Sequence, residues 1–544
     1  MSSLGLRAAM TVNRVRHWHP VRRLAKSPRA AQERALLKIL RANRDTRFGT
    51  EHRFRDISDL RTFQQRVPVQ EYEALRAYID EQRRTGAAAL TAEPPIFYAQ
   101  TSGSTAAPKH VPVTATSLAM HRCEQALFSY LQFRACPAAF RGKAWGIMGA
   151  AVEGRLDSGH VVGSVSGHLY ESLPRVIRSR FVVPPIVSTI ADYEAKYRTV
   201  LCLALAERDI TYLGTPNPST FLRLTSLLNI ERGRLLEVVA TGRVNAIQGL
   251  PQDIGDQLNL RPNPTRAAAL HRLGRLTYAN VWPDIRLVTT WTGGSCGIAV
   301  DALRRELPAS TAVMELGYQA TECRGTMALE AGTSAGLPAL HHHVFEFVEQ
   351  GAWDAGDRSS LTLDQLEQGR RYYVIVTTTA GLYRYFMNDL LEVDGVFERT
   401  PLLRFVQKGK GVTNLTGEKL YEAQAITAVQ QGARQLGLEP AFFLLVADEQ
   451  RNGYELLIEL ADTVDVETLA AVVDEQLGVM NVEYHAKRAS GRLLRLNVIR
   501  LKPGAAEAHK AAHLRAGQRE SQFKPVILQY RKDLRWQPDG YAAS

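Results

Sequence analysis

The sequence predicts an α/β protein with a large N-terminal domain and a smaller α+β domain after it. The 544 residues are 45% apolar and 22% charged, the composition of a globular chain with a sizeable core. Stretches with strand character alternate with helical stripes up to residue 405. The Gly- and Lys-rich stretch KGKGVTNLTGEKL then interrupts this pattern. Length alone is equally compatible with three or four units of about 150 residues.

Hydrophobic periodicity predicts the elements of the large domain. Leu36, Leu37, Ile39 and Leu40 form a helical stripe, and a polar turn follows it. The predicted elements, in chain order, are a helix from Glu33, a strand over 96–99, a long helix over 114–133, a strand over 285–291, and a hairpin of 371–379 with 382–386 around Ala380-Gly381.

The C-terminal part has the pattern of a small α+β domain. Its predicted elements are strands over 441–447, 454–460 and 493–501 and helices near 466–477 and 505–519. We therefore divide the chain into a basic segment at 1–32, a large domain at 33–405, a hinge at 406–417 and a small domain at 418–544.

The basic charge of the chain is concentrated at its start. The formal net charge is +12, and residues 1–32 contribute +7 because no acid precedes Glu33. An Arg-rich start can be a transit peptide or an electrostatic membrane contact. No apolar h-region or cleavage-like pattern accompanies it, so we expect a solvated, partly disordered terminus with an amphipathic helix. The nearly balanced body gives no reason to expect a nucleic-acid partner.

Two further patterns bear on compartment and metal binding. The five cysteines form no CxxC pair, which favours reduced thiols in a cytoplasmic protein over a zinc framework. No apolar run approaches the ~18 residues of a membrane helix, so we expect no stable membrane insertion. The triplet His341-His342-His343 precedes an alternating strand and lacks the i, i+4 spacing of a helical ligand pair, so we favour a strand-end histidine cluster over a metal site.

The stretch TSGSTAAPK at 101–109 has the composition of a polyanion-binding loop. Gly103 allows converging backbone N–H groups, four hydroxyls add donors, and Lys109 adds a positive charge. The pattern is not a Walker A loop, and the composition also suits an ordinary surface loop. We place it between a strand and a long helix, with an extended stretch through Pro108 and Pro112. Phosphate sites favour this position.

Three stretches occur in an order that resembles the motifs of adenylate-forming enzymes: TSGSTAAPK at 101–109, GYQATE at 317–322 and LYRYFMND at 382–389. Together with YEALRAYID, VWPDIRLVTTWTGG, TNLTGEKL and QFKP, they resemble the GH3 family of acyl acid amido synthetases, as a bacterial-type member, from about residue 33 to about residue 530. The resemblance implies a firefly-luciferase-like architecture. This has a large α/β domain with β-sheets and a β-barrel element, and a small mobile α+β domain.

The resemblance also implies an activity. Members of the family use ATP and Mg²⁺ to convert a carboxylic acid to an acyl-AMP with release of pyrophosphate, and they transfer the acyl group to the amine of an amino acid. This chain would then be a ligase that forms carbon–nitrogen bonds. The particular acid, the amino acid and the oligomeric state stay open. Two alternatives are an acid–thiol ligase that uses coenzyme A or a carrier protein, and a non-catalytic nucleotide-binding relic.

On the phosphate side, the resemblance implies roles for residues in the first two motifs. Thr101, Ser102, Gly103 and Thr105 would hold the β- and γ-phosphates, and Lys109 is retained beside them. In the second motif, Glu322 would position Mg²⁺, because a hard cation prefers carboxylate oxygen. Thr321 would hydrogen-bond the α-phosphate or the acyl carboxylate.

On the nucleoside side, the implied roles fall on four residues. Gly294 belongs to a backbone-rich turn, and Tyr318 would pack near adenine. Asp389 would accept hydrogen bonds from the ribose hydroxyls, which suits an acceptor-only group. Lys524, in QFKP, would meet the reacting oxygens when the small domain closes. Retention of Glu322, Asp389 and Lys524 argues against the alternative of a non-catalytic nucleotide-binding relic.

The chain departs from the family pattern in two places. Asn388 precedes Asp389, where a Gly is common, but Asn tolerates the left-handed region and the turn can survive. The phosphate loop has Ala106-Ala107-Pro108 where a Gly is common. A purely structural interpretation would pair Glu322 with Arg324 and Asp389 with Arg384.

Overall fold

The chain folds into two compact units. In the computed structural model, the described residues are 3–101, 109–294, 296–409, 411–416, 418–461, 464–489, 491, 493–516 and 523–543. Unit 1 comprises Met1–Thr292, Leu303–Met387 and Leu391–Arg404, and unit 2 comprises Gly293–Ala302, Asn388–Leu390 and Phe405–Ser544.

Helices make up much of both units. They are α1 (Ser3–Asn13), α2 (His19–Leu24), α3 (Pro28–Asn43), α4 (Arg47–Glu51), α5 (Leu60–Arg66), α6 (Tyr72–Thr85), α7 (Ala115–Ala135), α8 (Val165–Glu171), α9 (Arg175–Arg178), α10 (Tyr193–Ala206), α11 (Ser219–Ile230), α12 (Arg232–Thr241), α13 (Gln252–Gly255), α14 (Pro264–His271), α15 (Tyr278–Val281), α16 (Cys296–Glu306), α17 (Gln350–Asp354), α18 (Glu422–Gln435), α19 (Val466–Met480), α20 (Val482–Ala489) and α21 (Ala505–Arg515). In the described part of the chain, none of them combines the length and hydropathy needed to cross a membrane.

The strands form several separate sheets. They are β1 (Pro95–Thr101), β2 (Lys109–Thr114), β3 (Lys143–Gly146), β4 (Gly154–Arg155), β5 (Val161–Gly163), β6 (Ile210–Gly214), β7 (Leu287–Thr290), β8 (Ala312–Glu315), β9 (Thr326–Ala328), β10 (Ala335–Pro338), β11 (Val344–Glu349), β12 (Arg371–Thr377), β13 (Tyr385–Phe397), β14 (Thr400–Lys408), β15 (Val412–Thr413), β16 (Leu420–Tyr421), β17 (Pro440–Asp448), β18 (Gly453–Leu460), β19 (Leu494–Leu501) and β20 (Leu528–Tyr530).

Unit 1 contains a four-stranded parallel sheet. Its order is β3-β6-β7-β8, and each neighbouring pair is parallel. β7 is buried along its whole length, which suits a strand covered on both faces. Parallel strands end at the same edge, so the loops after β7 and β8 leave the sheet side by side. The strand predicted over 285–291 is confirmed as β7.

The other sheets are antiparallel or mixed. One has the order β2-β1-β5-β4 and another the order β11-β12-β13-β14-β10-β9. The predicted hairpin around Ala380-Gly381 is confirmed, since β12 and β13 are neighbours and Gly381 has a φ of +90°. In unit 2, β19-β18-β17-β20 packs with α18 and α19 around a core that includes Phe443, Leu457 and Leu477, as predicted for the small domain.

The structure refines the position predicted for the TSGSTAAPK loop. Residues 102–108 connect β1 to β2, and Thr101 pairs with Lys109 in an antiparallel register. The extended stretch after the loop is therefore a paired strand, and α7 begins only after it. The N-terminus of α7 is satisfied by the chain itself: Thr114 and Ser117 form a capping box. The argument from a free helix N-terminus therefore does not apply to α7.

The expected partial disorder of the N-terminal segment is wrong, whereas the helix and the solvated basic side chains expected there are present. Residues 3–24 are helical, with a π-helical turn at Arg14–Trp18, and Trp18 is only 6% exposed. The Trp18 ring packs on Phe397 at 5.5 Å between centroids, and the Arg134 guanidinium lies over it at 4.8 Å. Burial of the large Trp18 ring stabilises the packing of this segment, while the surrounding arginines stay at the surface. The segment is part of unit 1.

Candidate active site

A buried carboxylate organises the edge of the parallel sheet in unit 1. Glu315 ends β8 and is 4% exposed. Its Oε2 accepts hydrogen bonds from the backbone N–H and the hydroxyl of Thr292, at 2.6 and 2.7 Å, and its Oε1 accepts from the N–H of Gly317 at 2.9 Å. Glu315 therefore ties the turn after β7 to the loop after β8. The signal for it in the sequence is an acid that ends the apolar strand Ala312–Glu315, which the motif analysis passed over.

The GYQATE motif forms a tight loop between β8 and β9. Gly317 has a φ of +94°, and a Cβ at this position would lie 2.1 Å from the carbonyl oxygen of Thr326. Only glycine fits there. The N–H of Tyr318 donates to Thr326 Oγ1 at 2.8 Å, and its ring is 5% exposed. The loop is therefore closed at its base, and Thr321 and Glu322 lie at its tip.

Thr321 and Glu322 line a narrow cleft within unit 1. The other walls come from β2, the first turns of α7, the turn before β11 and the connection between β12 and β13. These walls consist of Val111, Pro112, Val113, Ser117, Met120, His121, His343, Thr378, Thr379 and Ala380. The cleft thus combines apolar walls with a few hydroxyls, two imidazoles and one carboxylate.

Among the ion pairs between described residues, neither Glu322–Arg324 nor Asp389–Arg384 is found. Arg384 makes a buried pair with Glu346, with its Nε 3.1 Å from each carboxylate oxygen, and it also donates to the carbonyl oxygens of Gln64 and Val67. It therefore anchors the base of the β12–β13 hairpin and does not pair with Asp389. Arg324 is also buried, and it contacts Gln125 and Phe128.

Arg324 and Lys109 both lie on aromatic rings in unit 1. Arg324 donates to Gln125 at 3.4 Å and lies 4.6 Å from the centroid of the Phe128 ring. Lys109 begins β2, and its Nζ lies 3.5 Å from the hydroxyl oxygen of Tyr385 and 5.4 Å from the centroid of the Tyr72 ring. Its ammonium is thus placed at the described end of the TSGSTAAPK loop. Ser102, Gly103 and Thr105 lie outside the described residues, and Thr101 ends β1.

Three of the predicted site residues lie in unit 2, and two of them, Gly294 and Lys524, lie beside Phe405. A Cβ on Gly294, which has a φ of +57°, would lie 2.9 Å from the carbonyl oxygen of Val406 and 3.1 Å from the Phe405 ring. Lys524 places its Nζ 4.6 Å from the centroid of the same ring. Asp389 is buried, at 6% exposed, in the segment of β13 that belongs to unit 2.

Asn388 has the backbone conformation expected of the residue before Asp389. Its φ is +54°, in the left-handed region, and its carbonyl oxygen accepts a hydrogen bond from the N–H of Gly409 at 2.8 Å. This confirms that Asn supports the turn where Gly is common in the family. This left-handed residue lies within β13, directly before Asp389.

The fold resembles that of adenylate-forming enzymes. The structure of 2-hydroxyisobutyryl-CoA ligase in its postadenylation state matches with a TM-score of 0.56 at 14% identity, over 96% of this chain and 94% of that one. The AtGH3.15 acyl acid amido synthetase in complex with 2,4-DB matches with a TM-score of 0.85 at 20% identity, over 97% of this chain and 96% of that one. These matches confirm the predicted fold class.

The chain belongs to the GH3 family. The GH3 family N-terminal domain matches residues 18–311, the central domain residues 336–408 and the C-terminal domain residues 423–532. Indole-3-acetic acid-amido synthetase GH3.15 of Arabidopsis thaliana is 25% identical over 417 residues, 71% of this chain and 69% of that protein. Indole-3-acetic acid-amido synthetase GH3.8 of Oryza sativa subsp. indica is 23% identical over 534 residues, covering 91% and 87%. The predicted family is therefore confirmed.

The conformation of Asn388 yields a test of the Asp389 turn. Asn388→Gly should keep both stability and ATP affinity, because glycine adopts positive φ freely. Asn388→Val should lower the free energy of unfolding by about 1–2 kcal/mol and weaken ATP binding, because a β-branched residue resists this conformation. Denaturant unfolding and calorimetric titration with ATP measure the two effects. Equal free energies of unfolding and equal ATP affinities in the two variants would contradict the role of the left-handed turn at Asn388.

Proposed function

We propose that the chain is an acyl acid amido synthetase, which joins a carboxylic acid to the amine of an amino acid with consumption of ATP. The observation that carries the proposal is the match of three GH3 domains in order along the chain. The names of the relatives support the same class, since they are amido synthetases. Some of the residues matching the family motifs also lie together within a unit: Thr321 and Glu322 line the cleft of unit 1, and Gly294 and Lys524 lie beside Phe405 in unit 2.

The first half-reaction requires a site that brings two anions together. A carboxylate oxygen attacks the α-phosphorus of ATP, pyrophosphate leaves, and an acyl-AMP forms. We propose that Thr101, Ser102, Gly103 and Thr105 hold the β- and γ-phosphates, with Lys109 supplying positive charge beside them. Fixed donors and cations lower the barrier because they offset charge repulsion without reorganising.

Thr321 and Glu322 suit the metal end of the nucleotide. Mg²⁺ typically keeps several waters and binds through one or two carboxylates together with substrate phosphates. The GYQATE loop offers such a carboxylate at the cleft, and among the residues that the structure describes no cluster of three or more His, Cys, Asp or Glu side chains could hold a metal by itself. When bound there with ATP, Mg²⁺ would neutralise phosphate charge. Thr321 would donate to the α-phosphate or the acyl carboxylate.

The residues around Phe405 suit the nucleoside and the transferring group. In unit 2, Asp389 would accept hydrogen bonds from the ribose hydroxyls, and Gly294 would allow close approach of the backbone. In unit 1, Tyr318 on the GYQATE loop would pack near adenine. Lys524 would bring its ammonium to the reacting oxygens when the small domain closes about the hinge at 406–417.

The function is tested by following both products. Purified protein with ATP and Mg²⁺ should release pyrophosphate with some member of a panel of aryl, indolyl and fatty acids, and an amide should appear by mass spectrometry when pooled amino acids are added. A thioester formed only with coenzyme A would indicate the acid–thiol ligase. Binding of ATP without acid-dependent pyrophosphate release would indicate the nucleotide-binding relic.

Lys524 should be needed for the reaction and not for binding. We expect Lys524→Ala to lower the rate of pyrophosphate release by about 10²–10³-fold, as for removal of one transition-state donor, while ATP affinity by calorimetry stays near wild type. Lys532→Ala is the matched control, since Lys532 lies in the same unit and is 63% exposed beside Glu449. Wild-type turnover in Lys524→Ala would remove this lysine from the mechanism.

Glu322 should set the requirement for magnesium. Glu322→Gln keeps the size of the side chain and removes its charge, so we expect half-maximal pyrophosphate release at a Mg²⁺ concentration roughly tenfold higher, the effect of losing about 1.4 kcal/mol. Titration of initial rates with MgCl₂ at fixed ATP measures this. The exposed Glu330 provides the control Glu330→Gln. An unchanged titration for Glu322→Gln would exclude it as a metal ligand.

A further inference from the structure

A fully buried carboxylate lies behind the cleft of unit 1. Glu124 has no exposed surface, and it occupies the inward stripe of α7 between Met120 and Leu127, where the helical pattern calls for an apolar residue. Burial of a charged group away from water is costly unless it is paired, so a glutamate at this position needs a reason. The acid within the apolar stripe is a signal that the sequence carries and that the motif search overlooked.

Histidines surround Glu124. The Nδ1 of His121 lies 3.1 Å from one carboxylate oxygen, and the Nδ1 of His342 lies 2.9 Å from the other. The Nε2 of His343 is farther away, at 3.7 Å. Burial by itself would raise the pKa of Glu124, but the hydrogen bonds from His121 and His342 outweigh it and bring this pKa well below its usual range. Glu124 is therefore a carboxylate anion.

The anion determines which nitrogen of His121 carries a proton. A carboxylate only accepts hydrogen bonds, so His121 donates its Nδ1–H to Glu124. The Nε2 of the neutral ring then has a free lone pair. His121 is 18% exposed and lines the cleft together with Thr321 and Glu322, whereas His342 is nearly buried and does not line it. Only one of the two imidazoles bound to Glu124 therefore faces the cleft.

The other histidine of the cleft, His343, is buried and has a lowered pKa. Burial lowers the pKa of His343 to about 4, so this ring takes up a proton only in acid. A general base works best when its pKa is near the working pH. His343 also lacks the close carboxylate contact that would stabilise an imidazolium. The hydrogen bond to Glu124 thus distinguishes His121 from His343 as the proton acceptor.

The second half-reaction of an amide ligase needs a proton acceptor. An amino acid reaches the site as an ammonium ion, which has no lone pair and must lose two protons in all to become an amide. The first loss exposes the lone pair that forms the carbon–nitrogen bond. The bond between the acyl carbon and the phosphate oxygen then breaks, and its electron pair leaves with AMP. The second proton passes to solvent.

We propose that His121, oriented by Glu124, is the general base that takes the first of these protons from the amino acid. The assignment rests on the amido synthetase function proposed above and adds to it the residue that activates the acceptor. His121 lines the same cleft as Thr321, the residue proposed to lie at the α-phosphate or the acyl carboxylate, so its imidazole and the proposed reacting group share one cleft. Glu124 is a positioning residue, since it acts through the ring of His121.

The test separates the two half-reactions in the full-length protein. Pyrophosphate release with the preferred acid reports adenylation, and conversion of the enzyme-bound acyl-AMP in a single turnover reports aminolysis. The acceptors are the preferred amino acid and hydroxylamine, which is mostly neutral near neutral pH and needs no base. His121→Asn keeps an amide donor near the Nδ1 position and removes the Nε2, and His342→Asn is the matched control on the same carboxylate.

We expect His121→Asn to leave pyrophosphate release within about twofold of wild type and to slow aminolysis by the amino acid by about 10²–10⁴-fold, the usual size of a general-base effect. Aminolysis by hydroxylamine should stay near the wild-type rate. Glu124→Gln should slow only the amino acid reaction, and His342→Asn should affect both acceptors equally, because it loses packing and not the base. Thermal unfolding verifies that each variant is folded.

Three results would overturn the assignment. Equal loss with both acceptors in His121→Asn would mean that the ring serves the structure. A raised KM for the carboxylic acid with unchanged aminolysis would place His121 in the acyl pocket, and unchanged kinetics would exclude any role. If the wild-type protein released pyrophosphate and formed no amide, the proposed function itself would fail, and with it the need for an amine base.

Discussion

The site in unit 1 depends on one constraint, which is the convergence of loops at the carboxyl edge of a parallel sheet. Loops that leave such an edge carry backbone N–H groups that need partners away from water. Glu315 satisfies this need for the loops after β7 and β8, through Thr292 and Gly317. Because a carboxylate has several lone pairs and no proton, one side chain can hold both loops. The tip of the GYQATE loop is thereby directed to the cleft.

Buried carboxylates recur in this unit, and each has a different kind of partner. Glu346 holds Arg384 at the base of the β12–β13 hairpin, and Glu124 holds two histidines behind the cleft. Loss of one partner of a buried pair costs about 3–5 kcal/mol, against about 0–1 kcal/mol for an exposed pair. Such groups fix local geometry more strongly than the many surface ion pairs of the chain. A site that must place reactive atoms within fractions of an ångström benefits from this rigidity.

Much of the fold could be predicted from local patterns. The helix of residues 115–135, the buried strand β7 and the strands of the small domain follow from apolar periodicity, which depends only on neighbouring residues. The left-handed backbone of Asn388 was also predictable, because turn preference is a property of the residue itself. The N-terminal segment was not, since its order depends on Trp18 packing against Phe397 far along the chain.

The sequence by itself determined the family, the main helices and strands and the chemical types at the site, because motif order, periodicity and turn chemistry are local. Only the tertiary structure decided which charged groups meet. Arg384 could pair with Asp389 by proximity in sequence, yet it binds Glu346. Glu124 binds His342 across 218 residues of chain. Partner choice depends on distance in the folded protein and on the cost of burying a charge, and neither can be read from spacing along the chain.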